Sequence, residues 1–194
     1  DFSVEEGAKV TIMGQNGAGK SSIIKLLGGG GGIYPDEGQI ILRDGETVAT
    51  AMQTMPLSSR ELTLKEFFRE QLQQNDATAH PENHELEAKM STALAAVLLH
   101  EIDAPGDRIV KSFSGGQQAR LLLAAALIQN PTILLLDEPT NNLDADGLWH
   151  LQSFIQATEK TCLVISHDED FLNAFTEQVL YLDIHSKKVE TYDG

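Results

Sequence analysis

Residues 14–22 read GQNGAGKSS and contain a G-x-x-x-x-G-K-S spacing. Glycines let backbone N–H groups turn inward around phosphate oxygens without a clash from a Cβ atom, and a following helix adds its positive end. We predict that Lys20 contacts the β- and γ-phosphates of a nucleotide and that the Ser21 hydroxyl is a Mg²⁺ ligand. The predicted phosphate-binding residues are Gly14, Gln15, Asn16, Gly17, Ala18, Gly19, Lys20, Ser21 and Ser22.

Two adjacent carboxylates follow an apolar run typical of a buried strand, in the sequence ILLLDEP at 133–139. Ligands of parallel-sheet folds bind outside the carboxyl ends of strands, so Asp137 is predicted to hold Mg²⁺ directly or through water. Glu138 is placed to orient and deprotonate a water that attacks the γ-phosphate. Taken alone, Asp137 also fits an ordinary solvent carboxylate at a strand end, and the phosphate loop favours the metal ligand.

A second pair of adjacent glycines lies in SFSGGQQAR, residues 112–120. Ser114 is a good N-cap, and Gly115 and Gly116 would let a large anion approach the positive end of the helix that follows. One bound nucleotide needs one glycine loop, so this second pair of glycines raises the question of what it binds. Taken alone, the same residues also fit a capped helix with a flexible start.

Short apolar runs alternate with helical stretches, which predicts a mostly parallel sheet covered on both faces. The predicted strands are 9–13, 39–42, 47–53, 132–137, 161–166 and a pair within 178–192; the predicted helices are 22–27, 63–74, 84–101, 114–129, 147–158 and a short one after His167. A turn at Asp44-Gly45 is expected to join 39–42 and 47–53 in a hairpin. The polar stretch 63–111 interrupts the alternation and predicts a helical lobe.

Composition restricts the classes of function. The formal net charge of −15 argues against direct DNA binding, because phosphate backbones repel an acidic surface. No apolar run approaches the ~20 residues that cross a bilayer. The single Cys162 lies in an apolar strand and is expected to be a buried residue of a reducing, cytoplasmic protein. The sequence opens with DFSVEEG, which resembles neither a start nor a signal peptide, so we expect a fragment of a longer chain.

These motifs together resemble the ATP-binding-cassette (ABC) ATPases. SFSGGQQAR resembles their signature motif, DEPTNNLD (137–144) their metal-binding strand end and D-loop, and SHDEDFL (166–172) their switch-histidine segment. Gln53 follows a strand at the place of their Q-loop glutamine. The resemblance implies a P-loop NTPase (RecA-like) α/β core over 1–62 and 112–194, with a mostly parallel sheet and an antiparallel β subdomain. It implies a helical lobe over 63–111.

In this family two cassettes pack head to tail, so the resemblance implies that the second glycine pair contacts ATP held by another cassette, in the same chain or in a homodimer. The implied trans contacts are Ser114, Gly115, Gly116 and Gln117, and the implied dimer seam includes Asn142 and Asp144. His167 would sense the γ-phosphate and position water. Gln53 would bridge Mg²⁺ and that water. The aromatic residue that stacks on adenine in this family lies upstream of the phosphate loop and has no counterpart here; Phe2 is expected to be a core residue.

Among the branches, DEPTNNLD, the D-x-x-F-L spacing after His167 and the tail VETYDG resemble the ABC-F proteins, which implies a two-cassette chain acting on the ribosome in translation. A nucleotide-binding subunit of a membrane transporter, gripping its partner with residues 54–111, remains an alternative. A third reading is a cassette that binds ATP without turnover. The run GGGGG at 28–32 predicts a flexible tether, and its origin as a natural insertion or an engineered replacement stays open.

Overall fold

The computed structural model describes residues 2–29, 33–75, 81–99, 105–186 and 188–194. Three of the five glycines of 28–32, part of the polar linker at 76–80 and the predicted helix end at 100–101 lie outside these ranges. The chain divides into two compact units. The first comprises Asp1–Thr50, Pro131–Pro139 and Ile155–Gly194, and the second comprises Ala51–Asn130 and Thr140–Phe154. The division predicted from the sequence, with a lobe over 63–111, stays a prediction.

The first unit is built on a sheet of mostly parallel strands. The strands of the described residues are β1 (Lys9–Gly14), β2 (Val48–Ala51), β3 (Ile133–Asp137), β4 (Thr161–Ile165), β5 (Gln178–Asp183) and β6 (Lys188–Asp193). They lie in the order β2-β3-β4-β1-β5-β6. The pairs β3–β4, β4–β1 and β1–β5 are parallel, and β5–β6 is antiparallel. This confirms the predicted α/β class and the predicted strand pair at the C-terminal end.

Apolar side chains from the central strands form the core of this unit with α1 (Lys20–Leu27). The core cluster consists of Val10, Ile12, Ile24, Leu135, Leu163, Ile165, Leu180 and Leu182. Phe2 packs against this cluster, as expected, although no strand forms around it. Cys162 is buried, and burial raises the pKa of its thiol to about 11, so the group is an apolar filler and not a nucleophile.

The predicted hairpin over 39–53 is wrong. The turn at Asp44-Gly45 exists, with the Glu46 N–H donating to the Arg43 carbonyl at 3.1 Å, but residues 39–42 form no strand. Residues 48–51 instead form the edge strand β2 beside β3. Ile41 is 77% exposed. An apolar run becomes a strand only where a partner satisfies its backbone groups. Of these two runs, only 48–51 has such a partner, which is β3.

The second unit is mainly helical. It contains α2 (Leu64–Asn75), α3 (Asn83–Ala96), α4 (Gly115–Leu127) and the start of α5 (Ala145–Ala157), while α6 (Glu169–Asn173) belongs to the first unit. Its fully buried side chains include Leu64, Phe67, Phe68, Leu86 and Leu121. Helix α3 ends at Ala96 and not near residue 101, because Leu98 has a φ of 56°, which a right-handed helix cannot contain. Within the described ranges, none of the helices combines the length and apolar character that spanning a bilayer requires.

We predict that Gly14→Ala destabilises the protein more than Gly17→Ala. A Cβ atom on Gly14 would lie 2.6 Å from the Leu182 carbonyl oxygen of the neighbouring strand, whereas one on Gly17 would meet no atom of the described residues within 4 Å. Both glycines have positive φ, at 147° and 83°, so both variants carry backbone strain. Gly14→Ala adds an overlap that we expect to cost about 2 kcal/mol more. Equal midpoints of urea denaturation for the two variants would contradict this packing.

Candidate functional site

The phosphate loop connects β1 to α1, as the motif requires. Gly17 and Gly19 have φ of 83° and 95°, which side-chain-bearing residues rarely adopt. A Cβ at either position would meet no described atom within 4 Å, so backbone conformation and not lack of space favours glycine there. Gly19 is also the N-cap of α1 and has no side chain to bind the first N–H groups of the helix. Those N–H groups and the positive end of α1 therefore suit an anion.

Lys20 lies across this loop. Its ammonium donates to the carbonyl oxygens of Gly14, at 2.8 Å, and Gln15, at 3.2 Å. The Ala18 N–H also donates to the Gln15 carbonyl, at 3.1 Å, which closes the turn. The remaining predicted residues are at the surface of the loop or the first helical turn: Gln15, Asn16, Ser21 and Ser22 are exposed. The predicted loop therefore turns continuously from β1 into α1, and the Lys20 ammonium lies inside it.

The parallel register of β3 and β4 brings two predicted catalytic side chains together. Asp137, the last residue of β3, is paired with Ile165, and the next N–H, that of Glu138, donates to the Ile165 carbonyl at 2.9 Å. Glu138 has a φ of 52°, an uncommon value for a residue with a side chain. Its carboxylate lies 3.3 Å from His167 Nε2, which follows β4. The Glu138 side chain is 12% exposed and that of His167 is 67% exposed.

The electrostatic environment raises the pKa of Glu138. Burial is the main cause, and the neighbouring Asp137 carboxylate adds to it, while His167 and the ammonium of Lys20 act in the opposite direction. A carboxylate with a raised pKa is a better proton acceptor than an exposed one. The arrangement is therefore suited to taking a proton from a water molecule.

The position of His167 is stabilised by the residues on either side. Asp168 caps α6 through a hydrogen bond from the Phe171 N–H at 3.0 Å, and its own N–H donates to the Ser166 hydroxyl at 3.1 Å. The imidazole itself extends into solvent from this short turn, where a ligand can reach it.

The signature segment lies in the second unit, where Ser114 and Gln117 form a capping box at the start of α4. The Gln117 N–H donates to the Ser114 hydroxyl at 3.3 Å, and the Ser114 N–H donates to Gln117 Oε1 at 3.0 Å. The face at Gly115 is open, since a Cβ there would meet no atom of the described residues within 4 Å. A Cβ on Gly116 would lie 3.0 Å from the Asn142 carbonyl oxygen. The structure therefore brings predicted signature and seam residues together.

Asp144, predicted at the dimer seam, has two contacts that sequence reasoning missed. Its carboxylate caps α5 by accepting the Gly147 N–H at 2.9 Å and also binds Arg120 on α4 at 2.5 Å. These contacts lower the pKa of Asp144, the Gly147 N–H being the larger cause. An aspartate three residues before a glycine is a weak cap signal, and nothing in SFSGGQQAR indicates a partner for its arginine.

Gln53 lies in the second unit, two residues beyond β2, with its side chain exposed. Its role at the metal and the attacking water stays a prediction.

The residues of the first unit fit a nucleotide-bound Mg²⁺. Within the described ranges, no three His, Cys, Asp or Glu side chains gather to hold a metal by themselves. Mg²⁺ in nucleotide sites takes one or two protein ligands, and substrate phosphates and water complete its coordination. The exposed Ser21 hydroxyl and the Asp137 carboxylate at the strand end are ligands of that kind.

Comparison with known proteins gives consistent matches. The family model described as ABC transporter matches residues 1–141. The Escherichia coli K12 protein named "Probable ATP-binding protein YheS" is 33% identical over 95% of this chain. The ABC transporter F family member 4 of Arabidopsis thaliana is 30% identical over 98%, and the energy-dependent translational throttle protein EttA of Mycobacterium tuberculosis is 29% identical over 94%.

The chain spans about a third of the length of these relatives: 32% of YheS, 30% of the Arabidopsis protein and 37% of EttA. Among solved structures, the dimeric bacterial ABC transporter cassette MJ0796 is similar, with 26% identity over 99% of this chain and 88% of its own, and a TM-score of 0.78. The same cassette has been solved as a post-hydrolysis dimer bound to ADP and Pi, with a TM-score of 0.77 to this chain.

We predict that Glu138→Gln stabilises the protein increasingly as pH rises from about 4.5, the usual pKa of a glutamate. A raised pKa means that the folded protein holds the proton more tightly than the unfolded chain. The free energy of unfolding of the parent therefore falls as pH rises through the folded pKa. The variant lacks this loss. Thermal midpoints of both proteins between pH 4 and pH 8 measure the effect, with Glu37→Gln as an exposed control. A difference that stays constant with pH would contradict the assignment.

Proposed function

This chain belongs to the ABC transporter family and has the fold of its ATP-hydrolysing cassettes, and we propose that it hydrolyses ATP in a site that a second cassette completes. The observation that carries the proposal is the pair of anion-suited helix N-termini in one chain, one in each unit, at α1 and α4. One nucleotide uses the loop at α1. The site at α4 is then available to a nucleotide held by another cassette.

In the first unit the chain's own residues bind the nucleotide and activate a water molecule. The N–H groups of the loop and the Lys20 ammonium bind the phosphates, and Lys20 exchanges its contacts with the Gly14 and Gln15 carbonyls for phosphate oxygens. Ser21 and Asp137 would hold Mg²⁺, which would neutralise developing negative charge on the phosphates. Glu138 accepts a proton from water, and His167, 3.3 Å away, orients that water and the γ-phosphate.

The second unit supplies the other half of the partner's site. The exposed Ser114 and the open face at Gly115 meet the γ-phosphate of the partner, together with the first N–H groups of α4. Gly116 and Gln117 shape that turn, and Asn142 and Asp144 lie at the seam. Binding of two ATP molecules closes the cassettes and hydrolysis releases them, which is a two-state switch controlled by γ-phosphate contacts.

The setting that we propose is the ABC-F type: one cassette of a two-cassette chain that acts on the ribosome from the cytoplasm. Similarity to an F family member and to a translational throttle protein supports it. The net charge of −15 disfavours binding of ribosomal RNA by these 194 residues, and a basic region elsewhere in the full-length chain could make that contact.

A transporter subunit is the second candidate, favoured by the similarity to MJ0796. It would use exposed apolar residues of the second unit, such as Leu57, which is 78% exposed, against a membrane protein.

We predict that two inactive variants restore ATPase activity when mixed. Lys20→Ala removes the loop cation and Ser114→Arg blocks the α4 terminus, so each homodimer contains only damaged sites. A mixed dimer combines the intact loop of one variant with the intact signature of the other, and about a quarter of all sites become whole. Phosphate release measured across mixing ratios should peak near equal amounts. Activity of either variant alone at the parent rate, or no recovery in a mixture that sedimentation shows to contain dimers, would contradict a shared site. Nucleotide binding by the parent without release of phosphate would indicate a cassette without turnover.

We predict that the full-length protein with the Glu138→Gln substitution sediments with ribosomes in ATP but not in ADP, because slowed hydrolysis keeps the two cassettes closed. The Lys20→Ala variant is the matched control and should stay in the supernatant with either nucleotide. Recovery of Glu138→Gln with a membrane protein, and not with ribosomes, would favour the transporter candidate.

A further inference from the structure

An ion pair in the second unit connects the signature helix to the segment that follows β3. Arg120 Nη2, on α4, donates to Asp144 Oδ1 at 2.5 Å. The same oxygen accepts the Gly147 N–H at 2.9 Å and so caps α5. The Arg120 side chain is 18% exposed and that of Asp144 is 71% exposed. A single carboxylate oxygen therefore links the side of α4 to the start of α5.

Gly147 leaves the space that this pair occupies. A Cβ at position 147 would lie 2.9 Å from both Arg120 Nη2 and Asp144 Oδ1, and 3.1 Å from Arg120 Nε. Glycine in the first turns of a helix lowers helix stability relative to alanine. Its presence here follows from the guanidinium that lies against it.

The pair is not the most stabilising choice for this position. Arg120 Nε is buried and finds no acceptor among the described residues. A buried donor without an acceptor is unfavourable, and an apolar side chain of similar length would avoid that penalty. Arg120 therefore contributes to the position of the segment that it contacts more than to the stability of the fold.

Arg120 and Asp144 lie next to the turn at residues 140–144, which contains the predicted seam residues. The Leu143 N–H donates to the Thr140 carbonyl at 3.2 Å, which closes the turn, and Asn142 has a φ of 65°. The Asn142 carbonyl packs against the first turn of α4, 3.0 Å from where a Gly116 Cβ would be. The Arg120–Asp144 pair lies at the end of this turn and connects it to α4 a second time.

We propose that Arg120 is a positioning residue: by pairing with Asp144 it holds residues 140–144 against the first turn of α4. The surface that meets the second cassette and its nucleotide is thus formed before the two cassettes associate. Preorganisation lowers the ordering penalty of association. This inference rests on the proposed function, since it concerns the half-site that α4 offers in trans.

The test uses the Glu138→Gln chain, in which slowed hydrolysis keeps the ATP dimer closed. Sedimentation measures the dimer dissociation constant in ATP for Arg120→Met, Asp144→Asn and the double variant. Asparagine still caps α5 but loses the charge. Each single substitution should raise the dissociation constant about tenfold, and the double variant should be no worse than either. Arg120→Lys keeps a charged donor and should restore most of the affinity.

Two further measurements separate positioning from general damage. Arg120→Met should bind a fluorescent ATP analogue at its own phosphate loop as tightly as the parent does, with a nearly unchanged thermal midpoint. Gly147→Ala retains both partners but intrudes between them, and should weaken dimerisation similarly. Arg69→Met is the matched control: it removes an arginine of the same unit that binds Asn83 at 3.0 Å, and it should leave the dissociation constant unchanged.

The outcomes distinguish the two proposals. If in ATP the Glu138→Gln chain pairs neither with a second copy of itself nor with the other cassette of the full-length chain, the proposed function fails and this inference fails with it. If that chain dimerises and Arg120→Met dimerises equally well, only the positioning role is overturned. Additive effects of the Arg120 and Asp144 substitutions would overturn it too, because independent residues add and a coupled pair does not.

Discussion

The register of the parallel strands is the constraint on which the site in the first unit depends. Because β3 and β4 run in the same direction with Asp137 opposite Ile165, the residues just beyond both strands meet at one edge. The hydrogen bond from Glu138 N–H to the Ile165 carbonyl extends that register by one residue and turns the carboxylate towards His167. A shift of one residue would reverse the faces of the strand and separate the Glu138 carboxylate from His167.

The sheet also fixes the start of the phosphate loop, through strands β1 and β5. Gly14 ends β1 against Leu182 of β5, where a side chain does not fit. From that point the chain turns through Gly17 and Gly19 into α1. The loop is therefore held by the sheet at its start and by the helix at its end, and Lys20 spans it from within.

Local fields, and not net charge, decide how an acidic chain binds an acidic ligand. The chain carries 29 acidic and 14 basic side chains. Charges on an exposed surface are screened over about 8 Å at physiological ionic strength. The loop N–H groups, the helix end and Lys20 act at contact distance. Glu138 is an acidic residue that is partly buried and not on the exposed surface. Burial keeps its pKa raised, although His167 and Lys20 lower it.

The sequence by itself determined the parts whose chemistry is local. Glycine spacing, a strand-end carboxylate pair and a Ser-x-x-Gln cap each specify a short segment, and the structure contains the loop, the turn at Glu138 and the capping box of Ser114 and Gln117. Only the tertiary structure decided which segments find partners. Residues 48–51 pair with β3 while 39–42 stay unpaired, and Arg120 reaches Asp144, because such contacts join positions far apart in the chain, and local residue preferences carry no information about them.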